Sequence, residues 1–350
     1  MKKALPLLLF LAVGLSAVFG AESVDELKKK AEAGDAVAQT NLGVRYALGF
    51  GVPKDSTEAA KWYRKSAEQG NADAQTYLGL SHAGGDGVRK KAEAGDAVAQ
   101  FNLGSRYDDA RSLLKDSAEA LKWYRKSAEQ GNADAQYNIG RMYADGDGVK
   151  KDSAEAVKWY RKSAERGNAD AQLTLGVMHA LGDGVQQDYS EAAKWYCKSA
   201  EQGNADAQLS LGLMYDAGNG VLKDTAEAAK WYRKSAEQGN ADAQLFLAGL
   251  NARGDGVLKD SAEAVKWYSK SAEQGTARAQ LMLGLSYAEG DGVLKDSVQA
   301  HAWLNNASAK GHEFAKRKLA EVEKSMTPEQ KAEATKLARE ILERIQAKKK

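Results

Sequence analysis

Apolar residues recur along this chain in two alternating helical registers. In the stretch from Asn132 to Gly167, Ala135, Ile139 and Tyr143 fall at i, i+4 and i+8, one face of a helix with 3.6 residues per turn. Asn132, ahead of Ala133 and Asp134, supplies a capping side chain and an early carboxylate, both favoured at the positive end of a helix. Gly140 beside Ile139 leaves room for close backbone approach. The run then ends in Asp145-Gly146-Asp147-Gly148-Val149, where glycine can take the positive φ of a C-cap and tight turn. A second helix is predicted from Asp152-Ser153-Ala154-Glu155, whose spacing matches a capping box. Its apolar stripe is Ala156, Trp159, Tyr160 and Ala164. Lys158, Arg161, Lys162 and Glu165 form its wet face, and Gly167 ends it. The pattern predicts two antiparallel helices.

That pair repeats. The seven tryptophans, Trp62, Trp123, Trp159, Trp195, Trp231, Trp267 and Trp303, occupy one position of the phrase, and from Trp123 onward they stand 36 residues apart. A fixed period of this size predicts stacked repeats, each burying its apolar face against its neighbours. The product is an elongated surface and not a closed pocket. Between Trp62 and Trp123 the interval is 61 residues. The loss is local: the second helix of repeat two shrinks to Arg89–Ala94, and Lys90–Gln100 is identical to Lys29–Gln39. Residues 84–115 are therefore the irregular zone, read either as a bend or hinge or as drift within an array. His82, His179 and Asn251 replace the first-helix tyrosine, and Ala248 replaces its glycine.

The phrase Ala-x-x-x-Leu/Ile-Gly-x-x-Tyr, then Gly-x-Gly-Val, then Glu-Ala-x-Lys-Trp-Tyr-x-Lys-Ser-Ala-Glu-x-Gly resembles the Sel1-like repeat, a relative of the tetratricopeptide repeat. The resemblance covers about residues 24–311. It implies an all-α fold, a right-handed α/α superhelical solenoid, used as a protein-interaction scaffold. The tail, with Met326-Thr327-Pro328-Glu329-Gln330 before a final amphipathic stretch, resembles how bacterial members close their arrays. Cysteine-rich members are linked to penicillin binding, and this chain lacks their paired cysteines.

Composition then places the array. The expected organisation is a signal peptide at 1–20, a capping helix at 21–34, the repeats at 35–311, and capping helices with a basic tail at 312–350. Met1-Lys2-Lys3 followed by an apolar run from Ala4 to Phe19 has the layout of a secretory signal, with Val18 and Gly20 small enough for cleavage before Ala21. The run is short of the roughly 20 residues that span hydrocarbon. A periplasmic or secreted protein, without stable membrane insertion, is expected. Its removal takes the net charge from +2 to 0, leaving no electrostatic footprint for nucleic acid. The terminal Lys348-Lys349-Lys350 reads as a solvated end.

Candidate chemistry adds little. Nucleotide, zinc-protease and serine-hydrolase motifs are absent from the sequence, so no enzyme, cofactor or metal site is predicted. His82, His179, His301 and His312 lie in separate segments and read as packed or partly exposed. Asp145-Gly146-Asp147-Gly148 lacks the later bidentate carboxylate of a calcium loop. Ser112-Leu113-Leu114-Lys115 has the Ser-x-x-Lys spacing without its companion motifs. Cys197, the single cysteine, stands where Arg64, Arg125, Arg161 and Arg233 stand elsewhere. It reads as an incidental substitution, with an intermolecular disulfide as the alternative.

The positive signal is a surface. Opposite the core-facing Ile139 lie Tyr137 and Arg141. The corresponding positions downstream are Leu173, Val177, Leu209, Leu213, Leu245, Leu281 and Leu285, with Phe101 upstream. In tetratricopeptide relatives these positions line the concave groove. The reading is a partner-binding ladder of Phe101, Tyr137, Arg141 and these leucines and valine, since exposed apolar tracks mark interaction sites and aromatic or Arg side chains anchor them. The alternative is that curvature buries the ladder between adjacent first helices. The expected function is a non-enzymatic scaffold for a protein or peptide partner. Peptidoglycan or carbohydrate recognition and a penicillin-binding activity are the alternatives.

Overall fold

The computed structural model describes residues 23–74, 77, 85–109 and 116–348. The stretch expected to be a signal peptide, His82 and Ser112–Lys115 lie outside the described residues, as does part of the irregular zone. The described residues form helices joined by turns, in two compact units, residues 1–163 and 164–350. The first unit carries α1 (Val24–Glu32), α2 (Ala36–Leu48), α3 (Ser56–Glu68), α4 (Gly85–Glu93), α5 (Ala97–Asp108), α6 (Ser117–Glu129) and α7 (Ala133–Asp145); α8 (Ser153–Glu165) follows. The second carries α9 (Ala169–Leu181), α10 (Tyr189–Glu201), α11 (Ala205–Ala217), α12 (Thr225–Glu237), α13 (Ala241–Arg253), α14 (Ser261–Glu273), α15 (Ala277–Glu289), α16 (Ser297–Ser308), α17 (Glu313–Glu323) and α18 (Pro328–Lys348). Within each unit the helices pack in pairs, and each pair stacks on the next.

Four devices recur and explain the repeated phrase. The tyrosine of the second helix lies flat on the glycine of the first. A β-carbon on Gly140 would stand 2.7 Å from the Tyr160 ring, and one on Gly176 2.6 Å from Tyr196, so a larger residue there would force the ring to move. The serine after it donates back to the carbonyl that opens the first helix: Ser163 Oγ to Ala133 O, Ser199 to Ala169, Ser235 to Ala205, at 2.7–2.8 Å. A buried glutamine joins repeats. Gln208 Nε2 donates to Ala200 O of the preceding helix, while its Oε1 accepts from Gln238 Nε2. Finally, the lysine three residues after each tryptophan lies over its ring, 3.9–4.4 Å from the centroid at Trp62, Trp123, Trp159, Trp195, Trp231 and Trp267.

The loops between paired helices also stack. Gly220 takes φ +69° and comes so near the Tyr189 carbonyl that a β-carbon would lie 2.2 Å from its oxygen. The caps are partly as expected. Asn132 Oδ1 accepts from Ala135 N, and Asp152 Oδ1 from Glu155 N. The reciprocal half of a capping box is formed at Ser23 and Glu26, but Glu155 turns outward to Lys158 at 2.7 Å instead. A lysine three residues on outcompetes the helix's own cap.

The shortened repeat is resolved in part. The duplicated segment rebuilds the start of the array: Asp35 caps α2 and Asp96 caps α5, Gly34 and Gly95 take φ of 98° and 101°, and Gln39 and Gln100 reach Ala31 O and Ala92 O. Helix α4 thus stands to α5 as α1 stands to α2. At the other end, the charged outer face of the second helix is replaced by Ala302 and Asn306, and α18 covers it. Ala338, Ile341 and Ile345 join the cluster of Trp267 and Trp303, and Asn306 Nδ2 donates to Ala338 O at 3.1 Å. Helix α17 is tied to α16 by His301 Nε2 and Glu323 Oε1, 3.0 Å apart.

Candidate protein-interaction surface

The first helix of each pair sends three kinds of side chain away from the Ile139-type core position. The outcome along the predicted ladder is graded. Phe101 and Tyr137 are half-buried because each leans on the second-helix tyrosine, Phe101 on Tyr124 and Tyr137 on Tyr160, with ring centroids 5.9 and 5.5 Å apart. Burial pushes the Tyr124 hydroxyl up to about 12; it donates to Asp108 at 3.2 Å. Arg141 does not stand free as an anchor. Its guanidinium is paired with the Asp108 carboxylate and lies 4.0 Å from Asp145.

In the second unit Leu173, Leu209 and Leu285 are half-buried, whereas Val177 is 37% and Leu213 38% exposed. Leu245 and Leu281 are corrected from contact positions to core positions. Leu245 joins Ala248, Val265 and Tyr268, and Leu281 packs on Leu304, which takes the place of the second-helix tyrosine and leaves room for it to sink. Both side chains are nearly or wholly withdrawn from solvent, at 9% and 5%. The ladder is therefore part exposed and part packed, and Val177 and Leu213 are its open rungs.

Other features lie beside the ladder. Gly249 occupies the rung where the neighbouring repeats have Leu213 and Leu285. Leu222, Leu258 and Leu294 project from equivalent loops almost fully into solvent, each between a half-buried valine and an exposed lysine. Only the comparison of these positions with Pro53, Lys150 and Gln186 marks them in the sequence. Cys197 is half-buried against Tyr215, and burial, then a hydrogen bond to Glu201 at 3.3 Å, pushes its thiol up, which disfavours the reactive thiolate. Among the described residues no group of three or more His, Cys, Asp or Glu could hold a metal ion, and no helix is long and apolar enough to cross a membrane.

These observations meet known proteins at the level of the repeat. The Sel1 repeat matches eight times, at residues 36–71, 72–95, 97–132, 133–168, 169–204, 205–240, 241–276 and 277–312. The second match is the short one, as the tryptophan interval predicts. A Sel1 repeat protein from Oxalobacter formigenes is similar in structure, with a TM-score of 0.55 and 36% identity, over 73% of this chain and 96% of that one. A protective antigen of uropathogenic Escherichia coli displaying an SLR fold shares 31% identity over 93% of this chain and 95% of its own, with a TM-score of 0.32. The secretory immunoglobulin A-binding protein EsiB of Escherichia coli O6:H1 is 46% identical over 56 residues, 16% of this chain and 11% of that protein. The chain thus spans about a tenth of that curated relative. By its eight repeats and its stacked helix pairs, the chain belongs to the Sel1 repeat family.

Proposed function

We propose that this Sel1 repeat protein is a non-catalytic scaffold that holds a polypeptide partner against the solvent-facing side of its first helices. The observation that carries the reading is the exposure of Val177 and Leu213, apolar side chains at one helix position of consecutive repeats. Apolar side chains repeated along one face form a track of the kind that marks interaction sites, and a helix or extended segment laid across them follows ordinary peptide-recognition physics. The name of EsiB states that it binds secretory immunoglobulin A. That a relative of part of this chain engages a protein supports the class of partner, not its identity.

The site of action we infer is the envelope or the secreted space, because residues 1–20 have the layout of a cleaved signal. N-terminal sequencing of the exported protein should begin at Ala21. Carbohydrate recognition draws less support, since six of the seven tryptophans are buried and Trp159 is half-buried. The test of the main reading is Leu213→Asp, which should abolish partner capture with helicity unchanged. Undiminished capture refutes it. Incubation with a reactive β-lactam should leave the protein mass unchanged, and a covalent adduct would restore the penicillin-binding alternative.

A further inference from the structure

Adjacent residues of three loops in the second unit part company. Val221, Val257 and Val293 pack against the apolar clusters, whereas Leu222, Leu258 and Leu294 beside them are 90%, 92% and 88% exposed. One exposed leucine is ordinary on a folded protein. These three share one loop position in successive repeats, and the loops touch in series. A β-carbon on Gly220 would lie 2.2 Å from the Tyr189 carbonyl oxygen, one on Gly256 2.4 Å from the Thr225 carbonyl carbon, and one on Gly292 2.1 Å from the Ser261 carbonyl oxygen. Each loop thus rests on the start of the second helix that the previous loop leads into. Leu222, Leu258 and Leu294 therefore form a row along one edge. Tyr189, exposed and with its hydroxyl 3.1 Å from Gln187 Nε2, stands at the upstream end.

The row also carries ammonium groups. Lys223, Lys259 and Lys295 follow the leucines, and the stem of each lies against the glycine that ends the first helix, Gly218, Gly254 or Gly290. Among the described residues none of the three ammonium groups makes a hydrogen bond or ion pair. The carboxylates nearby are largely engaged. Asp224, Asp260 and Asp296 accept from backbone N–H groups that open the second helices, whose positive ends offset them in part. Asp255 meets Arg253 Nε at 2.5 Å. Glu289 and Asp291 remain, both at the last loop. Lys223 and Lys259 are thus left without a carboxylate partner beside Leu222 and Leu258.

Shape and charge together select the occupant. A leucine exposed by nine-tenths has no walls around it, so a rigid partner must bring a separate pocket for each one. A lipid surface closes around a protrusion without any preformed pocket. Anionic headgroups then meet the lysines at the base of the inserted leucines, with the flexible stems letting the ammonium groups reach them. Tyrosine is favoured at the same depth. We propose that the loop edge of Leu222, Lys223, Leu258, Lys259, Leu294 and Lys295 docks the protein reversibly on an anionic phospholipid surface. The contact is peripheral, since no described helix is long and apolar enough to cross a membrane. It uses other residues than Val177 and Leu213, so it stands or falls separately from the polypeptide-binding face.

The test is flotation of the protein purified from the cell, its N-terminus sequenced, with phosphatidylcholine vesicles that contain or lack phosphatidylglycerol. Wild type and variants share the same N-terminus, so the difference between them reads the loop edge. At low ionic strength binding should be about ten-fold or more tighter with phosphatidylglycerol, and salt should shrink that preference. Leu222→Ser, Leu258→Ser and Leu294→Ser together, all exposed changes, should cut binding about ten-fold or more with the circular dichroism unaltered. Lys223→Gln, Lys259→Gln and Lys295→Gln together should remove the preference for the anionic lipid, and Leu213→Asp should change neither. A photoreactive amino acid at Leu258 should form an adduct with lipid. Absence of flotation, or flotation undiminished by the three leucine changes, overturns the proposal. An adduct at Leu258 between two copies of the chain, or with another polypeptide in the cell in place of lipid, overturns it as well and assigns the row to a protein contact.

Discussion

The ring of Tyr232 occupies the space that a β-carbon on Gly212 would need, 2.6 Å from its Cδ1. The two helices of the pair therefore touch through a backbone on one side and an aromatic face on the other. Gly212→Ala is expected to destabilise the protein by about 1–3 kcal/mol through overpacking, against a helix-propensity gain of about 1 kcal/mol. Gly249→Ala meets only the end of the Arg253 side chain and should be neutral or stabilising. Denaturant midpoints of the two variants check this; equal midpoints would show that the ring does not set the helix separation.

The glutamine joint makes a second contrast. Gln208→Ala removes its donation to Ala200 O, which keeps the bond from Gly203 N, and the acceptor of Gln238 Nε2, each lost bond costing about 0.5–1.5 kcal/mol. Gln280 also donates to Ala272 O, but its buried Oε1 has no partner, in the repeat where Lys310 stands at the second glutamine's position. Gln280→Ala should therefore cost less than Gln208→Ala in thermal unfolding. The reverse order would contradict the joint.

Two leucines of the first-helix ladder, one helical turn apart in register, should separate function from folding. Leu213→Asp places a charge in solvent and should leave helicity and melting nearly unchanged. Leu281→Asp buries a carboxylate beside Leu304 and Ala307 and should unfold the end of the array. Circular dichroism with hydrogen exchange distinguishes the two; comparable loss of structure in both would mean that Leu213 is core.

The second-helix tyrosines predict an alkaline limit. Burial raises Tyr124 and Tyr196 from 10.0 to about 12. A folded-state value above the unfolded one means that the neutral phenol stabilises the fold in full below pH 10, and that this is lost as pH rises toward 12. Absorbance at the phenolate band should thus rise together with loss of helicity. Smooth titration of these phenols near pH 10 in a still-helical protein would refute their burial.

The helix pairs, their caps and the shortened repeat were legible because a 36-residue period repeats each local signal several times. Trp159 and Tyr160 could be set on the inner stripe from spacing alone. What spacing could not give was depth. Leu209 and Leu281 are the same residue in the same register, yet one is half-buried and the other buried, because Leu304 in place of tyrosine changes the space below. Arg141 looked like an anchor and proved to be paired, since Asp108 lies 33 residues earlier and its approach depends on stacking. Glu155 fitted a capping box until Lys158 took it outward. The loss of a side chain at Gly249 was written in the repeat alignment, but the Arg253 and Tyr268 side chains that border the space meet only in the fold.

Photocrosslinking in the native cell gives the most direct measure of whether the first-helix face is the working surface. A photoreactive amino acid at Leu213 should capture a discrete polypeptide partner that the same group at Lys230, on the opposite wet face, does not. Capture from Lys230 and none from Leu213 would contradict the account.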